Sequence, residues 1–165
     1  MSRRSGRILA VQALYSYDVG KMQLEDLLKL EWTDDDFDSD HALAKLPRQG
    51  EKKNAEPEEE VPPAEPETET DTFARLLISG TVNHIDEIDA KIKSHLTGGW
   101  DFSRLNKVTV AILRVSLYAI LFQKDIAPSI IIDEAIGIAR DFALDDQFKF
   151  INAILDTIRK EENPQ

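Results

Sequence analysis

The sequence predicts an all-α protein of six or seven helices. Along most of the chain, apolar residues recur three and four positions apart, the spacing that places them on one face of a helix. No segment alternates apolar and polar residues between the turn sequences that join the strands of a hairpin. Apolar residues make up 42% of the 165 residues, which is enough for the core of one domain.

The first half of the chain contributes three predicted helices. The first, residues 4–19, is apolar on almost every side from Ile8 to Tyr17, so most of it is expected to be buried. A short second helix carries three leucines: Leu24, Leu27 and Leu28. A long third helix is stopped by Gly98-Gly99, and its apolar face consists of Phe73, Leu77, Gly80, Ile85, Ile88, Ile92 and Leu96.

The second half of the chain contains the most apolar stretch, residues 107–123, which is predicted as the central buried helix. Ser103 is expected to cap a short helical turn just before it. Pro128 opens the next helix, because proline favours the first helical position. Asp145 or Asp146 is expected to cap the last helix.

No part of the chain is predicted to enter a membrane. The basic N-terminus precedes an apolar stretch but lacks a signal-peptide cleavage site, so we interpret it as a mature helix of a cytoplasmic protein. The longest apolar run, from Val108 to Phe122, is too short to span a bilayer and contains Arg114. We expect the Arg114 stem to be buried and its guanidinium group to be paired with a carboxylate or with helix-end carbonyls.

The sequence gives no indication of an enzyme or a metalloprotein. There are no cysteines, which excludes disulfides, cysteine-ligated zinc and cysteine nucleophiles. Glycine-rich phosphate loops and the common hydrolase motifs are absent as well. His84 and Glu87 are three residues apart, but in the reverse of the order that di-metal helical bundles use, so we interpret them as surface residues. We therefore predict neither metal nor cofactor.

The negative charge of the chain is confined to one segment. Residues 31–71 contain 15 acidic and four basic residues, a net charge of −11, whereas the remainder has 16 of each. Residues 33–70 also hold five of the seven prolines and little to bury, so they are predicted to form a disordered acidic insertion. The rest of the domain is neutral and can therefore carry a local basic patch.

Such a patch is predicted at the N-terminus. Arg3, Arg4 and Arg7 fall within about one helical turn, and no acidic residue precedes Asp18. Guanidinium groups bind phosphate with two hydrogen bonds and stack on bases, which suits single-stranded RNA. Basic N-termini also serve solubility alone. The acidic insertion is either a solvated tether or a competitor with RNA for these arginines.

Several sequence motifs follow one another in a fixed order along the chain. The first helix contains Arg3-Arg4, Arg7, Ala10 and Gln12-Ala13-Leu14-Tyr15. The middle of the chain contains Phe73, Leu77, Gly80, Ile88-Asp89, Trp100-Asp101-Phe102, Arg104-Leu105, Val110-Ala111-Ile112-Leu113-Arg114 and Leu117-Tyr118. The last third contains Pro128, Ile132-Asp133-Glu134-Ala135, Ile138-Ala139-Arg140 and Lys149-Phe150-Ile151-Asn152-Ala153-Ile154-Leu155-Asp156. Together these motifs resemble those of the NusB family of bacterial transcription antitermination factors, and the similarity covers all but residues 33–70 and the tail.

The resemblance implies two packed helical subdomains and a function without catalysis. That function is to bind boxA RNA of ribosomal RNA operons together with NusE, a small-subunit ribosomal protein, in an antitermination complex on RNA polymerase. The RNA-binding residues carried over by motif are Arg3, Arg4, Arg7, Asp146, Lys149 and Phe150. Tyr15 is carried over as a contact for the protein partner. For both Phe150 and Tyr15, packing in the core is the alternative.

Two departures from the family pattern bear on these expectations. Thr109 replaces an acidic residue that is usual just before the central Val-Ala-Ile-Leu-Arg run, which implies one weaker contact with NusE. The acidic insertion is not a usual family feature. Two other interpretations stay open: the NusB-like domain of a ribosomal RNA cytosine methyltransferase, and a protein-interaction module that does not bind RNA.

Overall fold

The computed structural model describes residues 3–30, 68–143 and 146–162, and these residues form seven α-helices and one 3-10 turn. The elements in chain order are α1 (Arg3–Asp18), α2 (Leu24–Lys29), α3 (Glu69–Asn83), α4 (Ile85–Ser94), the 3-10 turn (Phe102–Arg104), α5 (Lys107–Phe122), α6 (Pro128–Phe142) and α7 (Gln147–Glu162). The predicted all-α fold is confirmed. No described helix is both long and apolar enough to cross a membrane.

The predicted acidic insertion lies outside the described residues except for its last three positions. Residues 68–70 form the start of α3 instead. Thr68 is the N-cap: its hydroxyl accepts a hydrogen bond from the Asp71 backbone N–H at 3.1 Å, and the Asp71 carboxylate accepts one from the Thr68 N–H at 3.4 Å. This reciprocal pair satisfies two backbone donors at the helix start, which the composition of the segment does not reveal.

Two local predictions were wrong. The single long helix is two helices, α3 and α4, which meet at His84, whose ring stacks on Phe122 at 4.2 Å. Apolar residues on both sides of the break are buried, including Leu77 on α3 and Ile88 on α4. The apolar spacing therefore continues across His84, and periodicity alone does not reveal the break. The 3-10 turn is capped by Asp101, which accepts the hydrogen bond from the Ser103 N–H, and Ser103 is not the cap.

The central helix α5 joins two groups of helices. On one side it packs against α1, α3 and α4, and on the other against α6 and α7, which also pack against each other. Its first turn is capped by the Asn106 side chain, which accepts hydrogen bonds from two backbone N–H groups. All but five of its sixteen residues are buried. This arrangement is the pair of packed subdomains that the resemblance implies.

The expectation for Arg114 is confirmed. Its Nε and Nη2 atoms each donate a hydrogen bond to Asp89, both at 2.8 Å. Asp18 lies 3.7 Å from Nη1, and the Phe102 ring centroid lies 5.7 Å from the guanidinium carbon. Arg114 therefore ties α1, α4 and α5 together in the interior, where both members of a charge pair need partners.

Candidate functional site

The start of α1 lies against the C-terminal half of α6. Arg4 forms an ion pair with Asp141, and its guanidinium group also lies beside Gly137, one turn earlier on α6. The negative charge of Glu134, one turn before Gly137 on α6, raises the pKa of Arg7, which lies one turn later on α1. The two helices therefore run in opposite directions here, which places the N-terminal arginines beside the end of α6.

Arg3 and Arg7 both contact the aromatic ring of Phe73 on α3. Each guanidinium carbon lies 5.4 Å from the ring centroid, within the range of a cation–π interaction. The ring also lies against Gly6: a Cβ atom there would be 2.6 Å from its Cδ1 atom. Because Gly6 has no side chain, α1 and α3 approach closely enough for Phe73 to reach both arginines.

The three predicted arginines differ in how far solvent reaches them. Arg3 is exposed, and the Arg4 side chain is 40% exposed. Arg7 is only 6% exposed. Burial lowers the pKa of Arg7, Glu134 opposes this change, and Arg3 adds to it. An arginine in these surroundings stays protonated, so Arg7 contributes positive charge from below the surface.

The end of α6 and the start of α7 add further cations and rings. The guanidinium carbon of Arg140 lies 4.7 Å from the Phe148 ring centroid, and Lys149 Nζ lies 5.9 Å from the same centroid. Arg140 and Lys149 are exposed. Arg140 directly precedes Asp141 on α6, so this group lies one residue along the helix from the Arg4–Asp141 ion pair.

The three site residues predicted near α7 lie together at its start. Asp146 has a left-handed backbone, with φ of 68°, and its carboxylate lies 3.5 Å from Lys149 Nζ. Both side chains are largely exposed. Phe150 is half-buried: it packs against the core, and its ring centroid lies 6.1 Å from that of Trp100. The core contact and an accessible ring therefore coexist at Phe150.

Thr109 fixes the start of α7 from the interior. Its side chain is fully buried, and its hydroxyl donates a hydrogen bond to Gln147 Oε1 at 3.0 Å. Gln147 is the first residue of α7, so this bond joins the first turns of α5 and α7. Thr109 therefore presents no exposed surface, and its role in this chain is to position the residues that follow Gln147.

The remaining predicted residues lie elsewhere. Tyr15 is half-buried on α1 and packs against the core. His84 Nδ1 lies 3.5 Å from Glu87 Oε2, as expected for a surface pair. Within residues 3–30, 68–143 and 146–162, no group of three histidine, aspartate or glutamate side chains could hold a metal ion.

We call the continuous surface described above the arginine–aromatic surface, and it consists of Arg3, Arg4, Phe73, Arg140, Phe148, Lys149 and Phe150. Sequence reasoning predicted four of these residues and missed Phe73, Arg140 and Phe148. Phe73 was assigned to the apolar face of its helix, because a ring beside the edge of a core has the same spacing as a ring within it. Arg140 meets Phe148 only through tertiary packing.

This arrangement can hold phosphates and stack on bases. Exposed guanidinium and ammonium groups bind phosphate oxygens, and neighbouring rings offer π faces to unpaired bases. The fold and the surface together define a helical domain of the kind that binds single-stranded nucleic acid. Residues 4–160 match the model of the NusB family, so the chain belongs to the NusB family.

Two relatives match over nearly their whole length, and both are described as transcription antitermination protein NusB. The chain is 42% identical over 160 residues to the protein of Treponema pallidum (strain Nichols), covering 97% of this chain and 94% of that protein. It is 39% identical over 161 residues to the protein of Treponema denticola, covering 98% of each.

Solved structures support the fold. NusB of T. maritima is 28% identical, with a TM-score of 0.66, over 98% of this chain and 92% of the other. A crystal structure of the antitermination factors NusB and NusE in complex with dsRNA contains a chain that is 21% identical, with a TM-score of 0.67 and 96% coverage of both. At that identity the second similarity shows the fold alone.

Proposed function

We propose that this chain is a transcription antitermination factor that binds boxA RNA of ribosomal RNA operons together with NusE, within an antitermination complex on RNA polymerase in the cytoplasm. The role is regulatory and involves no catalysis. Membership of the NusB family supports it, as do relatives described as antitermination proteins at 42% and 39% identity. A NusB chain of similar fold occurs in a crystal structure with NusE and RNA.

The observation that carries the proposal is the continuity of the arginine–aromatic surface. Ion pairing of Arg4 with Asp141 joins the α1 cations to the end of α6, and contact of Arg140 with Phe148 joins α6 to the start of α7. A single strand laid along this surface would meet cations and rings in alternation. That pattern suits RNA whose bases are unpaired, since each ring can stack on a base while each cation holds a phosphate.

The predicted arginines would take different parts in binding. Arg3 and Arg4 reach solvent and would hold phosphates directly. Arg7 is buried under the surface, so it would hold the Phe73 ring in place and strengthen the local positive potential. This division of roles follows from exposure, since all three side chains carry the same charge.

The residues at the start of α7 would contact the other end of the strand. Lys149 would hold a phosphate, and the accessible edge of Phe150 would contact a base. The Asp146 carboxylate accepts hydrogen bonds only, so it would receive one from an amino group of a base. Tyr15, half-buried on α1, would contact NusE.

The test is a titration of purified chain with a boxA RNA and with a scrambled RNA of the same length, each with and without NusE. We expect tighter binding to the boxA RNA and a further gain in affinity with NusE. A protein-interaction module would bind NusE but neither RNA. The NusB-like domain of a methyltransferase would bind RNA without any gain from NusE. Either of these last two results would contradict the proposal.

A further inference from the structure

Trp100 is the most exposed large apolar side chain in the described part of the chain, at 61% of its surface. Exposure of an indole ring to water forfeits the burial that usually stabilises this side chain. The other large apolar side chains exposed in that part are Leu76, Phe122 and Ile130. Phe122 stacks on His84, whereas Trp100 lies beside Phe150 of the arginine–aromatic surface.

Hydrogen bonds on both sides of Trp100 hold its backbone in place. Gly98 and Gly99, with φ of 68° and 79°, make the turn before it, and the Trp100 N–H bonds the Thr97 carbonyl at 3.4 Å. After it, Asp101 caps the 3-10 turn through the Ser103 N–H at 3.0 Å. The exposed ring is therefore presented by a defined turn.

The Trp100 ring is splayed from the Phe150 ring. Their centroids are 6.1 Å apart and the ring planes meet at 39°, so the two rings do not stack face to face. A base between two rings needs them about 7 Å apart, twice the stacking distance of about 3.4 Å. An outward movement of Trp100 by about 1 Å, with a rotation that brings its ring plane parallel to that of Phe150, would therefore admit one base between them.

The charges around this pair favour RNA as the occupant. Lys149 precedes Phe150 and is largely exposed. Exposed Lys93 places its Nζ 5.1 Å from the Phe102 ring centroid, two residues after Trp100, and Arg104 is exposed as well. Two carboxylates are near: Asp101, which accepts a hydrogen bond from the Ser103 N–H, and Asp146, which lies 3.5 Å from Lys149 Nζ. The three cations outnumber them, which favours a ligand with phosphates on either side of a base.

We propose that Trp100 stacks on a base of the bound RNA and encloses it against Phe150, extending the RNA-binding surface beyond α7. This inference deepens the proposed function and rests on it. It adds to that function a residue that selects for an unpaired base at one position of the strand, because a paired base cannot leave its helix to enter the space between the rings.

The test uses the full chain with Trp32 changed to Phe, so that Trp100 is its sole tryptophan. We expect boxA RNA to quench the Trp100 fluorescence. Trp100→Ala should weaken RNA binding about 5- to 100-fold, and Trp100→Phe much less, because a phenyl ring still stacks. The dependence of affinity on salt should stay unchanged, since no phosphate contact is lost. Ile130→Ala, an exposed apolar change at the far end of α6, is the matched control and should have no effect.

A second experiment locates the base. In a series of RNAs that each lack one base, one position should weaken binding to the starting chain and have no effect on the Trp100→Ala variant. The inference is overturned if Trp100→Ala binds RNA normally, or if NusE alone changes the Trp100 fluorescence and RNA does not. A chain that binds no RNA at all would instead contradict the proposed function, so the two failures are distinguishable.

Discussion

The molecule contains two arginine clusters built from the same kinds of groups. Each combines guanidinium groups with a phenylalanine ring and at least one carboxylate. Around Arg114, one guanidinium group faces two carboxylates and the Phe102 ring, and its side chain is 8% exposed. At the N-terminus, Arg3 and Arg7 share the Phe73 ring, and Arg4 forms an ion pair with Asp141.

The difference between the clusters lies in the balance of charge. Two carboxylates satisfy Arg114 internally, so it has no capacity left for a ligand, and it holds three helices together. The N-terminal cluster carries more positive than negative charge, and Arg3 and Arg4 reach solvent. An arginine that is saturated by its own protein is structural, whereas a cluster with excess charge on the surface can bind an anion. Burial and carboxylate count separate the two more reliably than the presence of an aromatic ring.

The largest expected effect is on stability. Arg114→Ala leaves Asp89 and Asp18 without their buried partner, so the free energy of unfolding should fall by about 3–5 kcal/mol. Arg4→Ala, the matched change in the other cluster, removes an ion pair with two half-exposed partners and should cost less than about 1 kcal/mol. Urea unfolding monitored by circular dichroism measures both. Equal losses of unfolding free energy in the two variants would contradict the distinction between a structural cluster at Arg114 and an open cluster at the N-terminus.

A smaller effect is expected on RNA binding. Asp141 competes with phosphate for Arg4, so Asp141→Asn should tighten RNA binding by up to about fivefold, the strength of an exposed ion pair. The measurement is a low-salt RNA titration. Asp156→Asn removes a partly exposed carboxylate that is paired with Arg159 and Lys160 in the second half of α7, and it is the control. Unchanged affinity in Asp141→Asn would mean that Arg4 does not face the RNA.

The smallest expected effect is on the pH dependence of stability, and it comes from the pair formed by His95 and Glu161. His95 Nε2 lies 2.9 Å from Glu161, and Nδ1 lies 2.8 Å from the Lys91 carbonyl. Burial lowers the pKa of His95, but the hydrogen bonds to Lys91 and Glu161 outweigh it, and the pKa is raised above its ordinary value.

Because the pKa is raised in the folded state, the protonated ring stabilises the fold below about pH 6.5, and this contribution is lost as the pH rises through the folded-state value. The change should be under about 1 kcal/mol, as for other pairs with an exposed partner. Urea midpoints at several pH values would measure it. In His95→Gln the contribution should be absent; a variant with the same pH dependence as the starting chain would rule out this pair as its source.

Sequence reasoning predicted the helices well because their apolar spacing is a local property. It also predicted the pairing of Arg114, since a charge in the most apolar helix needs a partner. It missed the break at His84, where the buried face continues, and it placed the cap at Ser103 although Asp101 carries the better acceptor two residues earlier.

The binding surface was predictable only in part. The arginine cluster at the N-terminus indicated Arg3 and Arg4, resemblance to a family added Lys149 and Phe150, and the charge count showed that acidic charge is confined to one segment. Phe73 belongs to the surface because α3 packs against α1, and Arg140 belongs to it because α6 packs against α7. Contacts between residues so far apart in the chain are set by helix packing, which a single sequence does not display.

The most direct test of the open N-terminal cluster is the dependence of RNA affinity on salt. Each phosphate contact adds about 0.7 to the negative slope of log affinity against log salt concentration for a single strand. Replacing Arg3, Arg4 and Arg7 with alanine should therefore flatten the slope by about 1.4, the share of the two exposed arginines. Lys160→Ala, an exposed change near the C-terminal end of α7 and outside the arginine–aromatic surface, should leave it unchanged. Parallel slopes for the starting chain and the triple variant would contradict the assignment.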